Sequence, residues 1–391
     1  MLKDCSTLYM KRILMCSHQF SVGGISRVVH ALREALTRLG YSVEMMAPSY
    51  SIGEEVDIPI PSLNMPGLLG SLSFWELATR IAERRKDRYD LIMMHHPVLV
   101  SGKPLNLGKK AVVTFHGTYY GYARAYRLYK LGRRGPYYDL ATRIERRMLN
   151  RLSSNQGNRL VVTGVSPSTI SELRANGYDG IAHFVPNAIP HISEIVSKKR
   201  ARDLLDSLSH QRISQDDKVL LYVGSSKNVA SKRPQLVPPF FREITKYNSQ
   251  IKLVMVGVSS SFRRLEELAR EFNDIFYLGS VPHDHLHLLY SAADAYISLS
   301  CYEGLPNSAL EAAAHRLPLI LSDIPAHRWI ISNGIGHGIL VDSFDPVDDA
   351  DKVSTVFESL DDSQCYYNSS IQTEFSWDQS AKSYLRFAEI C

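Results

Sequence analysis

Two carboxylates, Glu303 and Glu311, stand with seven residues between them in the stretch YISLSCYEGLPNSALEAAAHRLPLILSDIPAHR, residues 296–328. The apolar run before Glu303 reads as a strand. Gly304-Leu305-Pro306-Asn307 reads as a turn, a helix follows from about Ser308, and a second buried strand is expected over Leu317 to Leu321. A turn and a helix N-terminus are thereby placed at the carboxyl end of a parallel strand, where open α/β sheets bind ligands. The exposed amides and positive dipole of that helix end suit a phosphate. Carboxylates repel phosphate and accept hydrogen bonds from hydroxyls, so the combination suits a ligand that carries both, such as a sugar or ribose joined to phosphate. A plainer reading stands beside this one: Ser308 and Glu311 have the spacing of a capping box, which needs no ligand.

The elements that would carry these residues form a regular alternation. Strands are expected at residues 12–16, 43–47, 91–94, 111–114 and 160–163, then at 219–223, 253–257, 275–278 and 295–299, with helical segments between them. Short apolar runs alternating with helices imply parallel sheets. A chain of 391 residues exceeds what one hydrophobic core usually spans, so two domains are expected.

The Glu-(seven residues)-Glu pattern after Ser-Leu-Ser, with EGLPNSALEA between, closely resembles the donor-site signature of the retaining GT-B glycosyltransferases, glycosyltransferase family four. The approach GSVPHDHLHLLYSAADAYISLS resembles that family as well. So do the linker-like Val185-Pro186-Asn187-Ala188, where the family usually has glycine in place of Ala188, and the terminal Phe375-Ser376-Trp377-Asp378. The resemblance implies an α/β GT-B fold, two Rossmann-like doubly wound parallel-sheet domains facing across a cleft. Residues 1–188 would bind acceptor, 189–375 the nucleotide-sugar donor, and 376–391 would return to the first domain.

Further candidates follow the strand ends. Gly23-Gly24 after the first strand resembles the family's first loop, where the second glycine lies close to donor phosphate and acceptor; no GxGxxG is present, so a nicotinamide cofactor is not supported. His116, in Thr114-Phe115-His116-Gly117, ends a strand and in the family contacts the donor hexose; His95 and His96 are weaker candidates, and a lone histidine is usually structural. After the strand at 219–223 the family usually has Gly-Arg and, about six residues on, Lys-Gly, whose cations neutralise the donor diphosphate. Here Ser225 stands in place of the arginine, Lys232 fits the lysine, Arg233 replaces the glycine, and Lys227 is a further candidate cation. The chemistry requires a cation there, because cleaving the sugar–phosphate bond leaves charge on the departing diphosphate.

Composition narrows the class. Hydrophobic residues make up 45% and charged residues 22% of the chain, ordinary for a globular protein. A net charge of +5 is too small to argue nucleic-acid binding. Five scattered cysteines point to a reducing compartment, and no 18-residue apolar run is present. The expected location is cytoplasmic, at or near the inner face of a membrane. Residues 119–151 hold seven tyrosines and nine basic residues against Asp139 and Glu145. This patch suits a phosphorylated or glycan acceptor or an anionic bilayer, or is simply a solvated face. Only residues 139–152 within it read as helix. The leucine-bearing residues 61–75 are a second candidate contact, or a loop packed on the core.

The resemblance thus implies a metal-independent, retaining hexosyltransferase. It would move a hexose from a UDP- or GDP-linked donor to a glycan, lipid-linked or other hydroxyl acceptor in cell-surface polysaccharide or glycolipid synthesis. Glu311 would hold the ribose diol, Glu303 the hexose hydroxyls, the backbone around Gly304, Leu305 and Asn307 the sugar or phosphate, and Lys232 with Lys227 or Arg233 the diphosphate. His116 and Gly24 would act from the other domain, and no other cofactor is expected. Other readings are a nucleotide-sugar-binding protein without turnover and a GT-B-fold sugar-nucleotide epimerase.

Overall fold

A computed structural model describes residues 10–20, 23–51, 56–65, 67–99, 106–154, 160–189, 196–209, 213–214, 216–224, 229–247, 249–257, 272–358 and 373–390. The chain divides into two compact units. The first takes the described residues of Met1–Ala123, Pro136–Asn187 and Trp377–Cys391; the second takes Arg124–Gly135 and Ala188–Ser376.

The first unit contains, in chain order, β1 (Arg12–Ser17), α1 (Gly24–Arg38), β2 (Ser42–Pro48), β3 (Ile58–Ile60), α2 (Leu68–Arg85), β4 (Leu91–His95) and β5 (Ala111–Phe115). Next come α3 (Tyr119–Leu128), whose last residues belong to the second unit, then α4 (Gly135–Ser154), β6 (Leu160–Gly164), α5 (Pro167–Ala175) and β7 (Ala182–Phe184). The seven strands lie in the order β3-β2-β1-β4-β5-β6-β7, all neighbours parallel. Strand runs such as Ile13–Cys16 and Leu91–Met94 are apolar throughout because helices cover both faces of the sheet. β3 tolerates Pro59 because it lies at the sheet edge, where one side needs no ladder partner.

The second unit contains α6 (Lys198–Ser209), β8 (Lys218–Val223), α7 (Val229–Lys232), α8 (Val237–Thr245), β9 (Ile251–Val256) and β10 (Ile275–Gly279). It continues with α9 (His283–Ala292), β11 (Ala295–Ser298), α10 (Asn307–Ala314), β12 (Leu319–Ser322), α11 (Pro325–Ser332), β13 (Gly338–Val341) and α12 (Ala350–Glu358). Its six strands are parallel in the order β10-β9-β8-β11-β12-β13. Asp294 holds this unit's sheet to its first helix. Its Oδ2 accepts from Arg202 Nη2 at 2.8 Å and from the Val219 amide at 2.7 Å, while Arg202 also donates to the carbonyls of Ser214 and Asp217.

The last helix, α13 (Trp377–Phe387), returns to the first unit, where Ala381, Tyr384 and Leu385 join a core with Val29, Leu32 and Leu36 of α1. Arg38 reaches Asp378 at 2.8 Å, and the Tyr41 hydroxyl donates to the Ile390 carbonyl. Residues 119–151 differ from expectation: they carry two helices, α3 and α4, where one over 139–152 is read from the pattern. Gly132, whose φ of 97° favours glycine, lies between them. The start of α3 is capped by tertiary contacts, with the amides of Tyr119 and Tyr120 donating to the buried Glu145 carboxylate of α4.

Candidate active site

Each sheet reverses its winding direction once, between β8 and β11 in the second unit and between β1 and β4 in the first. Loops leaving the carboxyl ends of the strands on either side of such a point diverge and leave room for a ligand. In the second unit the loop after β8 leads to Lys232, and the loop after β11 carries Glu303.

These loops are bonded to one another. Lys232 Nζ lies 2.5 Å from Glu303 Oε1. The Cys301 amide donates to the Ser231 carbonyl at 2.8 Å, and Arg233 Nε donates to the Leu299 carbonyl at 2.8 Å. Ser300 Oγ also donates to Glu303 Oε1, at 2.8 Å. Both hydrogen bonds to the Glu303 carboxylate therefore fall on Oε1, and among the described residues none falls on Oε2. The carboxylate is held by one oxygen and offers the other.

Glu311 is placed differently. α10 begins at Asn307 after Pro306, and no side chain caps it. Ser308 lies inside the helix and its Oγ accepts from the Tyr296 hydroxyl at 2.8 Å, while Glu311 Oε2 accepts from the Tyr290 hydroxyl at 2.9 Å. The capping-box alternative is therefore not the arrangement formed, and two buried tyrosines of α9 and β11 fix these side chains instead. Leu305 is buried at the turn, Gly304 precedes it, and Asn307 supplies the first residue of α10.

Arg233 has a left-handed backbone, φ 47°, at the position where the resembled pattern has glycine. Its side chain is buried, with the guanidinium 4.9 Å over the Tyr129 ring and Nη2 without a hydrogen-bond partner among the described residues. Tyr129 in turn stacks on Phe344 at 4.7 Å and donates to Ser343 Oγ at 2.9 Å. Arg233 thus fastens part of the basic tyrosine-rich segment to the loop that carries Glu303. Lys227 and Ser225 lie outside the described residues.

In the first unit, Gly24 opens α1 directly after Gly23, whose φ of 121° favours glycine. His116 follows β5, and its Nε2 lies 3.1 Å from Nδ1 of His95, the last residue of β4, with the rings stacked at 5.4 Å. Burial drives the His95 imidazole down to about 3 and His96 to about 4; it also drives His116 well below the ordinary value, with the neighbouring histidines adding to the effect. These imidazoles are neutral near pH 7. His116 Nδ1 has no hydrogen-bond partner among the described residues.

Residues 22–191 match the family model described as Glycosyltransferase Family 4, and residues 206–369 match Glycosyl transferases group 1. An uncharacterized glycosyltransferase of Methanocaldococcus jannaschii, MJ1607, is 27% identical over 179 residues, covering 44% of this chain and 44% of that protein. The O-antigen biosynthesis glycosyltransferase WbnH of Escherichia coli is 31% identical over 124 residues, covering 32% of this chain and 33% of that protein. The chain thus aligns with less than half the length of either curated relative. In fold, sucrose-phosphate synthase from Thermosynechococcus elongatus superposes with a TM-score of 0.71 at 19% identity, covering 97% of this chain and 98% of that one. With one glycosyltransferase model over each half and the doubly wound architecture of these enzymes in both units, the chain belongs to the GT-B glycosyltransferases of the family 4 and group 1 type.

Proposed function

We propose that the protein is a retaining hexosyltransferase that takes its sugar from a nucleoside-diphosphate donor and places it on a glycan or lipid-linked hydroxyl. The observation that carries this reading is the Lys232–Glu303 pair at the β8/β11 reversal, with Glu303 Oε2 left without a hydrogen bond from the described residues. A cation beside an acceptor oxygen matches a substrate with a diphosphate next to hydroxyls. Glu303 Oε2 accepts from the hexose hydroxyls, Glu311 from the ribose diol, and the backbone at Gly304, Leu305 and Asn307 borders sugar and phosphate. As the bond between the anomeric carbon and the phosphate oxygen breaks, negative charge grows on the leaving diphosphate and Lys232 stabilises it. The acceptor oxygen bonds to the same face of the anomeric carbon, and its proton passes to the departing phosphate.

From the first unit, His116 offers a neutral nitrogen, Nδ1, to a sugar hydroxyl, and Gly24 allows close approach of the phosphate or acceptor. Lys227 supplies a second cation and Arg233 backs the site through Leu299. The reaction needs no metal and no further cofactor. A role in cell-surface polysaccharide or glycolipid synthesis is supported by the likeness to an O-antigen biosynthesis enzyme.

Among the described residues no helix is long and apolar enough to cross a membrane. Leu63, Met65 and Leu69 are exposed, as is Leu140 of the arginine-bearing α4, and the Tyr137 hydroxyl of α4 accepts from the Leu68 amide at 2.7 Å. This mixture suits contact with an anionic bilayer at the cytoplasmic face.

The test is nucleoside diphosphate release from UDP-, GDP- and ADP-sugars, with glycan or lipid-linked acceptors, with and without anionic vesicles and with EDTA. Release that depends on acceptor, persists in EDTA, rises with vesicles and yields a product of unchanged anomeric configuration supports each part in turn. Donor binding without release across the panel would leave a binding protein instead.

A further inference from the structure

Beneath the Glu303 turn lies a buried polar layer. The Ser298 and Ser300 hydroxyls are 3.1 Å apart, and Ser322 Oγ, at the end of β12, donates to the Ser300 carbonyl. His327 of α11 is fully buried and sets Nδ1 2.8 Å from the Ser322 carbonyl and 3.2 Å from Ser322 Oγ. A carbonyl oxygen can only accept, so Nδ1 carries the proton. Burial lowers the His327 pKa to about 4, although the Glu303 charge acts in the opposite direction, so the ring is neutral and its Nε2 is a bare acceptor. That Nε2 has no partner among the described residues. An unpaired buried acceptor costs stability that a leucine of similar size would not. Its presence within range of Glu303, Lys232 and Arg233 calls for a compensating role at the site.

We propose that His327 is a positioning residue for Glu303. Its Nδ1 proton holds Ser322, Ser322 holds the Ser300 carbonyl, and the turn so fixed lets the Ser300 hydroxyl join Lys232 on Oε1, keeping Oε2 for the sugar. The inference rests on the reading of Glu303 as the residue that contacts the transferred hexose. It predicts that His327 governs recognition of the sugar and leaves recognition of the nucleotide alone.

The experiment compares the affinities of UDP, GDP and ADP with those of their glucose conjugates, by calorimetry, for the wild type, His327→Leu, His327→Asn and Glu303→Gln. The leucine variant should weaken the sugar nucleotide by about tenfold, the loss of one hydrogen bond to a charged group, and leave the nucleoside diphosphate within about twofold. Asparagine retains a donor where Nδ1 stood and should restore the sugar contribution. The inference is overturned if the leucine variant keeps the sugar preference, loses both ligands equally, or is not rescued by asparagine. If Glu303→Gln leaves the preference intact, or the wild type has none, the reading of Glu303 itself fails. Nitrogen NMR of the wild type is independent of donor and of variant folding: it should show the neutral Nδ1–H form of His327 from pH 5.5 to 8. An Nε2–H form or an imidazolium in that range overturns the proposal.

Discussion

The two winding reversals solve the same problem with different chemistry. In the second unit a full charge pair, Lys232 and Glu303, sits 2.5 Å apart. In the first, the stacked rings of His95 and His116 share a hydrogen bond of 3.1 Å, and burial keeps them uncharged. A charge withdrawn from water persists when an opposite charge is in contact with it; without one, a titratable group sheds its charge. On the proposed function, the contrast places ionic recognition in the second unit and recognition of neutral hydroxyls in the first.

The largest expected effect tests that assignment directly. Lys232→Ala should lower kcat by about two to three orders of magnitude, whereas His116→Ala, which removes a neutral contact, should cost about one order, since one uncharged hydrogen bond is worth about 1 kcal/mol. Both are read from nucleoside diphosphate release, and equal losses would break the contrast.

A second test uses pH. His95 and His327 are fully buried, with values lowered to about 3 and about 4. The unfolded chain takes up their protons first, near pH 6.5. Stability from these groups is therefore complete above about pH 6.5 and falls as pH drops toward 4. Urea unfolding at pH 5.5 should show a loss of up to about 1.4 kcal/mol for each against pH 7.5, and His327→Asn should remove its share.

A third test separates backbone from side chain at Arg233. A left-handed non-glycine residue costs about 1–2 kcal/mol, and the Leu299 carbonyl bond and Tyr129 stacking offset roughly that amount. Arg233→Gly should thus change stability by less than about 1 kcal/mol, while Arg233→Ala, which keeps the strain and loses the contacts, should lose about 2 kcal/mol. Thermal unfolding of the two variants decides this.

The repeated alternation of apolar runs and helices made the doubly wound sheets legible, because a strand buried on both faces must be apolar throughout and a helix covering it must be amphipathic. Strands β3, β7 and β13 were not legible: three or four residues carry no periodicity, and such strands form at the sheet edges by pairing. The turn with Glu303 and the lysine loop with Lys232 stood out as residue types in order along the chain. Their ion pair did not, since 71 positions separate them. Nothing in the local pattern marked Arg202 or His327 as buried; both are held by partners that are remote in sequence or lie on a neighbouring turn.

Order along the chain determined the strand–helix alternation, the acidic turn, the glycine loop and the basic tyrosine-rich segment, because each is a property of neighbouring residues. Tertiary structure alone decided that Lys232 and Ser300 both bond to the same oxygen of Glu303, that the Tyr290 hydroxyl donates to Glu311, and that residues 124–135 belong with the second unit. Hydrogen bonds and ion pairs depend on separations of about 3 Å, and the chain sets such separations between distant residues only once its sheets have closed.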